Sequence, residues 1–254
     1  MAPSSKRAAF FDVDNTLIRG STLYFLGRGM YQRGFFTKKD ISRFVLANLR
    51  FKLTGKENPE ELKRWQKAAT DFIGGHKVDE IATVGQEVYD QYVSPALWQG
   101  TIDIAQTHLR NDEEVWLITA APEDMADLIS KRLGFTGAIG SKAAVKDGVY
   151  TGEMLGNLLH GKEKAIAVTE LAEERGFELA NCYAYSDSHN DLPLLLAVGH
   201  PSSINPDGIL RLRALREKWP IHDFRRARVL NRILGPLISR VAALGAFFTP
   251  RGRG

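Results

Sequence analysis

The sequence predicts an α/β protein in which a doubly wound parallel sheet carries an all-helical segment inserted after its first strand. Three observations lead there. From about residue 95 onward, short apolar runs alternate with stretches of helical periodicity, the pattern of βαβ units. Between the first apolar run and the second, about a hundred residues read almost entirely as helix. Several apolar runs end in Asp or Thr, and in open parallel sheets ligands bind at the carboxyl ends of the strands.

The first strand is Ala8-Ala9-Phe10-Phe11, bounded by charge. It runs into Asp12-Val13-Asp14-Asn15-Thr16-Leu17. Two carboxylates two residues apart can face one site if the chain loosens there. A buried pair needs a cation or a proton to compensate it. The pattern suggests a hard-metal site with one carboxylate free for chemistry. Loop solvation or helix capping is the plainer alternative.

The helical stretch follows. Thr37-Lys38-Lys39-Asp40 opens one helix, with Ile41, Phe44, Val45 and Leu49 on one face. Asn58-Pro59-Glu60-Glu61 opens another, with Asn as cap and Pro at the first position, and residues 78–92 supply a third. Next comes Val115-Trp116-Leu117-Ile118, ending in Thr119, Ala120 and Ala121 before Pro122 opens a helix over Glu123–Leu133. A hydroxyl there can bind phosphate oxygens or cap the helix. Asp147-Gly148 marks a small hairpin.

Gly161-Lys162-Glu163-Lys164 opens a further helix, running to about residue 175. A lysine in a first helical turn opposes the helix dipole, so it seeks an anion or points into water. The run Cys182-Tyr183-Ala184-Tyr185-Ser186 then ends in Asp187 and Asp191, which are either site acids or a cap and a solvated loop acid. The lone cysteine, Cys182, reads as a packed core thiol. Residues 207–219 read as a basic helix.

In order and spacing, these segments resemble the haloacid dehalogenase (HAD) superfamily of hydrolases over about residues 7–205. Within it the chain is similar to subfamily IB, the phosphoserine-phosphatase-like group, which Asp147-Gly148-Val149-Tyr150-Thr151-Gly152 and Val198-Gly199-His200-Pro201 also resemble. The resemblance implies a Rossmann-like core over residues 1–19 and 95–223, with a helical cap of the C1 type over 20–94 that excludes water when closed. It implies an Mg2+-dependent phosphatase acting through an aspartyl-phosphate. Asp12 is then the nucleophile and Asp14 the general acid and base. Asp12, Asp187 and the backbone carbonyl of Asp14 hold the metal, and Asp191 supports them from behind or through water. Thr119, Ala120 and Lys164 bind the phosphoryl group, with Lys164 fitting better than Lys162. Asn15 and Thr16 add amides and a hydroxyl nearby. His189 reads as a loop residue, since Mg2+ prefers oxygen.

Phosphoserine phosphatases carry an acidic residue about nine positions after the nucleophile. Here that offset lands on Ser21, and residues 17–39 contain no carboxylate. The expected substrate is therefore a different small or lipid phosphomonoester, with phosphoserine as the alternative. Tyr24, Arg28, Arg43, Lys63, Arg64 and Trp65 could face it from the cap.

The net charge of +4 is uneven. Residues 205–254 hold eleven Lys and Arg against three Asp and Glu, which leaves residues 1–204 at −4. Such a basic end suits an anionic partner, membrane or nucleic acid. No nucleic acid is expected here. Residues 224–254 read as a basic amphipathic tail that either lies on a membrane or docks on the core or a second subunit. A third function follows from it, a membrane-associated phosphate-binding protein with little turnover. The N-terminus lacks the apolar stretch of a signal peptide, so a cytoplasmic, at most membrane-peripheral, location is expected.

Overall fold

A computed structural model describes residues 6–35 and 73–225. The helices expected from Thr37 and Asn58, and the tail beyond Arg225, lie outside the described residues.

Strand β1 (Ala8–Phe11) is buried along its whole length. It pairs in parallel with β2 (Glu114–Pro122) on one side and with β5 (Tyr183–Ser186) on the other. Strand β3 (Gly137–Lys146) flanks β2 in parallel and turns back into the antiparallel β4 (Val149–Leu155). On the far side, β6 (His200–Ile204) and the short β7 (Ile221–His222) continue the parallel sheet. The order is β4-β3-β2-β1-β5-β6-β7. The chain winds outward from β1 in one direction, then returns and winds outward in the other. The reversal falls between β1 and β5, where open α/β sheets place their ligands.

Side chains alternate across this sheet, and both faces are dry. Ala9, Phe11, Val115, Leu117 and Tyr185 face one apolar cluster, whereas Ala8, Phe10, Ile118 and Ala184 face the other. Burying each of the phenylalanines stabilises the fold by about 1.5–3 kcal/mol. The first face is covered by α1 (Thr22–Gln32), α2 (Val78–Val88), α3 (Gln99–Arg110) and α4 (Glu123–Leu133). The second is covered by α5 (Lys162–Arg175), α6 (Leu192–Ala197) and α7 (Gly208–Glu217). Among the described residues, no helix is long and apolar enough to cross a membrane.

Between β1 and β2 the regular elements among the described residues are all helices. The third expected helix ends its α-helical part at Val88 and continues as a π-turn over Tyr89–Val93. Leu26 and Met30 of α1 and Ile81, Val84 and Val88 of α2 share the first cluster with Met125 and Ile129 of α4. Arg132 of α4 adds a hydrogen bond to Gln86 and stacks over Tyr89. The chain returning to α2 runs beside the β3–β4 hairpin. Gly75 N–H donates to Tyr150 O, Tyr150 N–H to His76 O, and Val78 N–H to Gly148 O.

Beneath the reversal point, Tyr185 stacks on Phe11 with ring centroids 4.4 Å apart. Its hydroxyl lies 2.9 Å from His108 Nε2, and His108 Nδ1 lies 2.5 Å from Glu113. At the start of β6, Gly199 packs so closely on the Leu179–Asn181 turn that an added Cβ would sit 1.7 Å from Ala180 O. Gly199→Ala is therefore expected to cost on the order of 3 kcal/mol in urea unfolding, although the residue is remote from any chemistry.

Candidate active site

The register of the central strands sets the site. Phe11 pairs with Leu117 on one side and Tyr185 on the other, which brings Thr119 and Asp187 level with Val13. Asp12 leaves β1 with its N–H still donated to Tyr185 O at 3.0 Å. The chain then turns sharply, because Val13 O accepts from both Leu17 N–H and Ile18 N–H. Asn15 takes a left-handed φ of 60°, which Asn tolerates better than most residues.

The second element is the first turn of α5. Lys164 is 3% exposed, and its Nζ donates to Asp12 Oδ1 at 2.5 Å and to Asp191 Oδ2 at 2.7 Å. Lys162, by contrast, extends into solvent with its side chain 81% exposed. The third element is the loop after β5. Asp191 is buried and bears no helix-capping bond; it also accepts from Ser186 Oγ at 2.7 Å. Thr16 Oγ1 lies 3.1 Å from Asp12 Oδ2 and 3.4 Å from Asp187 Oδ1, so one hydroxyl sits between two carboxylates.

One ammonium thus binds two acids, with a third, partly buried acid joined to them through Thr16. Burial raises the Asp12 carboxyl to about 7, against the lowering pull of Lys164, with repulsion from Asp191 adding to it. Burial, then repulsion from Asp12 and Asp191, raises Asp187 to about 8. Burial alone would weaken the Lys164 ammonium, but the flanking carboxylates of Asp12 and Asp191 hold its pKa above the ordinary value. The cluster is short of positive charge.

Asp14 stands at the edge. Its Oδ1 accepts from Thr22 N–H at 2.8 Å and Thr22 Oγ1 at 2.6 Å, at the first residue of α1. Thr119 is 2% exposed and lies within the irregular end of β2; its Oγ1 accepts from Ala121 N–H and does not cap α4. Ala120 O accepts from Ser141 Oγ. Asn15 is exposed, with its side-chain oxygen on Gly20 N–H rather than in the pocket. His189 bonds Asp207 through both its N–H and Nδ1.

Hydrogen bonds therefore join Asp12, Thr16, Lys164, Asp187 and Asp191, while Thr119 and Asp14 lie alongside by register and chain position. Sequence reasoning missed Ser186 and passed over Thr22, both wholly buried. Of the cap residues that could face the substrate or be ordinary cap surface, Arg28 stacks on Tyr92 at 4.7 Å and Tyr24 is exposed. Arg43, Lys63, Arg64 and Trp65 lie outside the described residues.

A profile of the haloacid dehalogenase-like hydrolases matches residues 9–196. The chain is 45% identical over 238 residues to the phosphoserine phosphatase SerB1 of Mycobacterium tuberculosis, covering 94% of this chain and 77% of that protein. It is 27% identical over 224 residues to a histidinol-phosphatase of Neisseria meningitidis serogroup C, covering 87% of this chain and all of that protein. In fold it matches a crystal structure of a protein of unknown function from Bordetella pertussis Tohama I. There the TM-score is 0.77 at 26% identity, with 87% of this chain and 100% of that one covered.

Removing Lys164 strands buried carboxylates. Lys164→Ala is expected to lower unfolding free energy by about 3–5 kcal/mol. Adding Asp191→Asn should recover part of that loss, a coupling that denaturant titration of the two single variants and the double variant will measure.

Proposed function

This chain belongs to the haloacid dehalogenase-like hydrolase family, and from that premise we propose that it is a Mg2+-dependent phosphatase acting through an aspartyl-phosphate on a small phosphomonoester. The observation that carries this reading is the Lys164 ammonium clamped between Asp12 and Asp191, with Asp187 beside them.

Phosphate monoesters resist attack because the dianion repels nucleophiles and the alkoxide leaves poorly. Lys164 holds Asp12 by one oxygen and favours its ionised form, offsetting part of the effect of burial. With two of its three protons on carboxylates, the third can meet a phosphoryl oxygen. The Thr119 hydroxyl, already accepting from Ala121 N–H, has its own proton to donate to another. Asp12 attacks phosphorus, the P–O bond to the leaving group breaks, and the charge departs on that oxygen. Asp14 supplies the proton. Thr22 occupies its Oδ1 twice, which leaves Oδ2 as the proton-bearing oxygen. In the second step Asp14 takes a proton from water, and water displaces Asp12.

The deficit of positive charge suits a divalent cation. Among the described residues no group of three or more His, Cys, Asp and Glu forms a ready-made metal cage. Mg2+ needs only one or two carboxylates, with carbonyl oxygens and waters completing its shell. Asp12 and Asp187 are hard oxygen donors on either side of one hydroxyl. With the Asp14 carbonyl they would hold the ion, and Asp191 would support them from behind. When bound, the ion neutralises charge on the phosphoryl oxygens.

The relatives are named for two different phosphomonoesters, phosphoserine and histidinol phosphate. Ser21 stands where phosphoserine phosphatases carry an acid, which favours a substrate other than phosphoserine. The 45% identity to a protein named phosphoserine phosphatase favours the opposite, and phosphoserine is kept as the second reading.

Phosphate release from a panel containing phosphoserine, histidinol phosphate, sugar phosphates, nucleotides and lysophosphatidic acid tests this directly. Turnover is expected with Mg2+ and should fall by about 10³-fold or more in Asp12→Asn. Mg2+ should also raise the melting temperature of the chelated protein, and Asp187→Asn should abolish that rise. A panel without turnover, or an active Asp12→Asn protein, would defeat the proposal.

A further inference from the structure

Just past β6, Asn205 is 4% exposed and adopts a left-handed φ of 49°. Its backbone N–H and side-chain oxygen grip one segment, and its side-chain N–H reaches a second, distant one. Its N–H donates to His222 O in β7 at 2.8 Å. Its Oδ1 accepts from Phe224 N–H at 2.8 Å. Its Nδ2 donates to Asn15 O at 3.3 Å, across 190 positions of sequence.

The segment it grips is itself firmly seated. The Phe224 ring lies against Gly100 of α3, where an added Cβ would come within 2.3 Å of the ring. Arg225 reaches back to Pro206 O at 3.2 Å and pairs with Asp223, which also pairs with Arg211. At the other end, Asn15 links Asp14 to Thr16. The peptide unit is planar, so a held carbonyl fixes the orientation of the whole 15–16 peptide. The Gly20 bonds to Asn15 fix the other side of the same residue.

We propose that Asn205 is a positioning residue that carries the docking of Asp223, Phe224 and Arg225 into the loop presenting Asp14. The inference rests on the phosphatase reading above. Through Asn15, the Asn205 amide sets where the Asp14 carboxyl meets the departing oxygen. Its loss therefore weakens proton donation more than nucleophilic attack, because Asp12 is held independently by Lys164 and by its own N–H on Tyr185 O.

Leaving groups separate the two. p-Nitrophenolate departs without a proton, whereas the alkoxide of glycerol phosphate needs one. The parameter kcat/KM reports the first transfer, in which the leaving group departs. Asn205→Gly keeps the left-handed backbone without strain, and Asn205→Asp keeps the acceptor for Phe224 N–H while losing the donor to Asn15. Both variants should lower kcat/KM for glycerol phosphate by about 10–100-fold, and for p-nitrophenyl phosphate by several-fold less. In an Asp14→Asn background the same changes should have little further effect on glycerol phosphate. An equal loss on both esters, or no loss on either, would overturn the proposal. A wild-type protein inactive on every ester would instead overturn the phosphatase reading and this inference with it.

Discussion

A lysine ammonium enclosed by carboxylates is the constraint around which the rest of the structure is arranged. Lys164 has almost no contact with solvent, so its charge must be met by protein. Its partners come from the end of β1 and from the start of α6, 152 and 27 positions away. That meeting requires β1 and β5 to be neighbours and α5 to begin over their carboxyl ends. The strand order supplies the first, and the bonds of Lys164 to Asp12 and Asp191 show the second. The stack of Tyr185 on Phe11 and the bonds from His108 and Glu113 hold the two strands in register underneath.

Much of this was legible in the sequence because it rests on patterns with a period. Strand β1, the helix over Glu123–Leu133 and the Asp147-Gly148 hairpin follow from apolar runs, a proline start and turn chemistry. Helical phase separates the two lysines. Lys164 shares a face with the buried Val168, Leu171 and Ala172, whereas Lys162 falls on another side. The less legible residues are small polar ones. Ser186, Thr22 and Asn205 look in sequence like any turn or cap residue, and their burial arises only from contacts between distant segments. Asn15, which by resemblance offers an amide near the phosphate, uses its side chain to close the loop on Gly20, a contact the sequence does not announce.

The acids differ in what surrounds them more than in what they are. Asp12 is buried and Asp187 partly so, and both are raised; Asp191 is tied to Lys164 and Ser186; Asp207, although burial would raise it, is held below the usual carboxylate range by its hydrogen bonds to the Leu210 and His189 N–H groups and the His189 side chain. Asp207 also donates its N–H to Asp187 O while its carboxylate accepts from His189 N–H, so one outer residue steadies the loop that carries an inner acid. The cluster is thus embedded in a rim of conventionally satisfied polar groups.

The backbone bonds between Gly75, His76 and Val78 and the tip of the β3–β4 hairpin give the helical insertion two unlike attachments. On one side it leaves β1 through a short turn tied to the residues around Trp98; on the other it is sewn along the edge of the sheet. Any swing of α1 and α2 against the core would have to pivot on that margin, as a page does about its binding, because pulling away from it breaks those backbone bonds. The hairpin is then the spine of that page, and mutations in the hairpin, far from the reacting atoms in sequence, would change how wide the book opens.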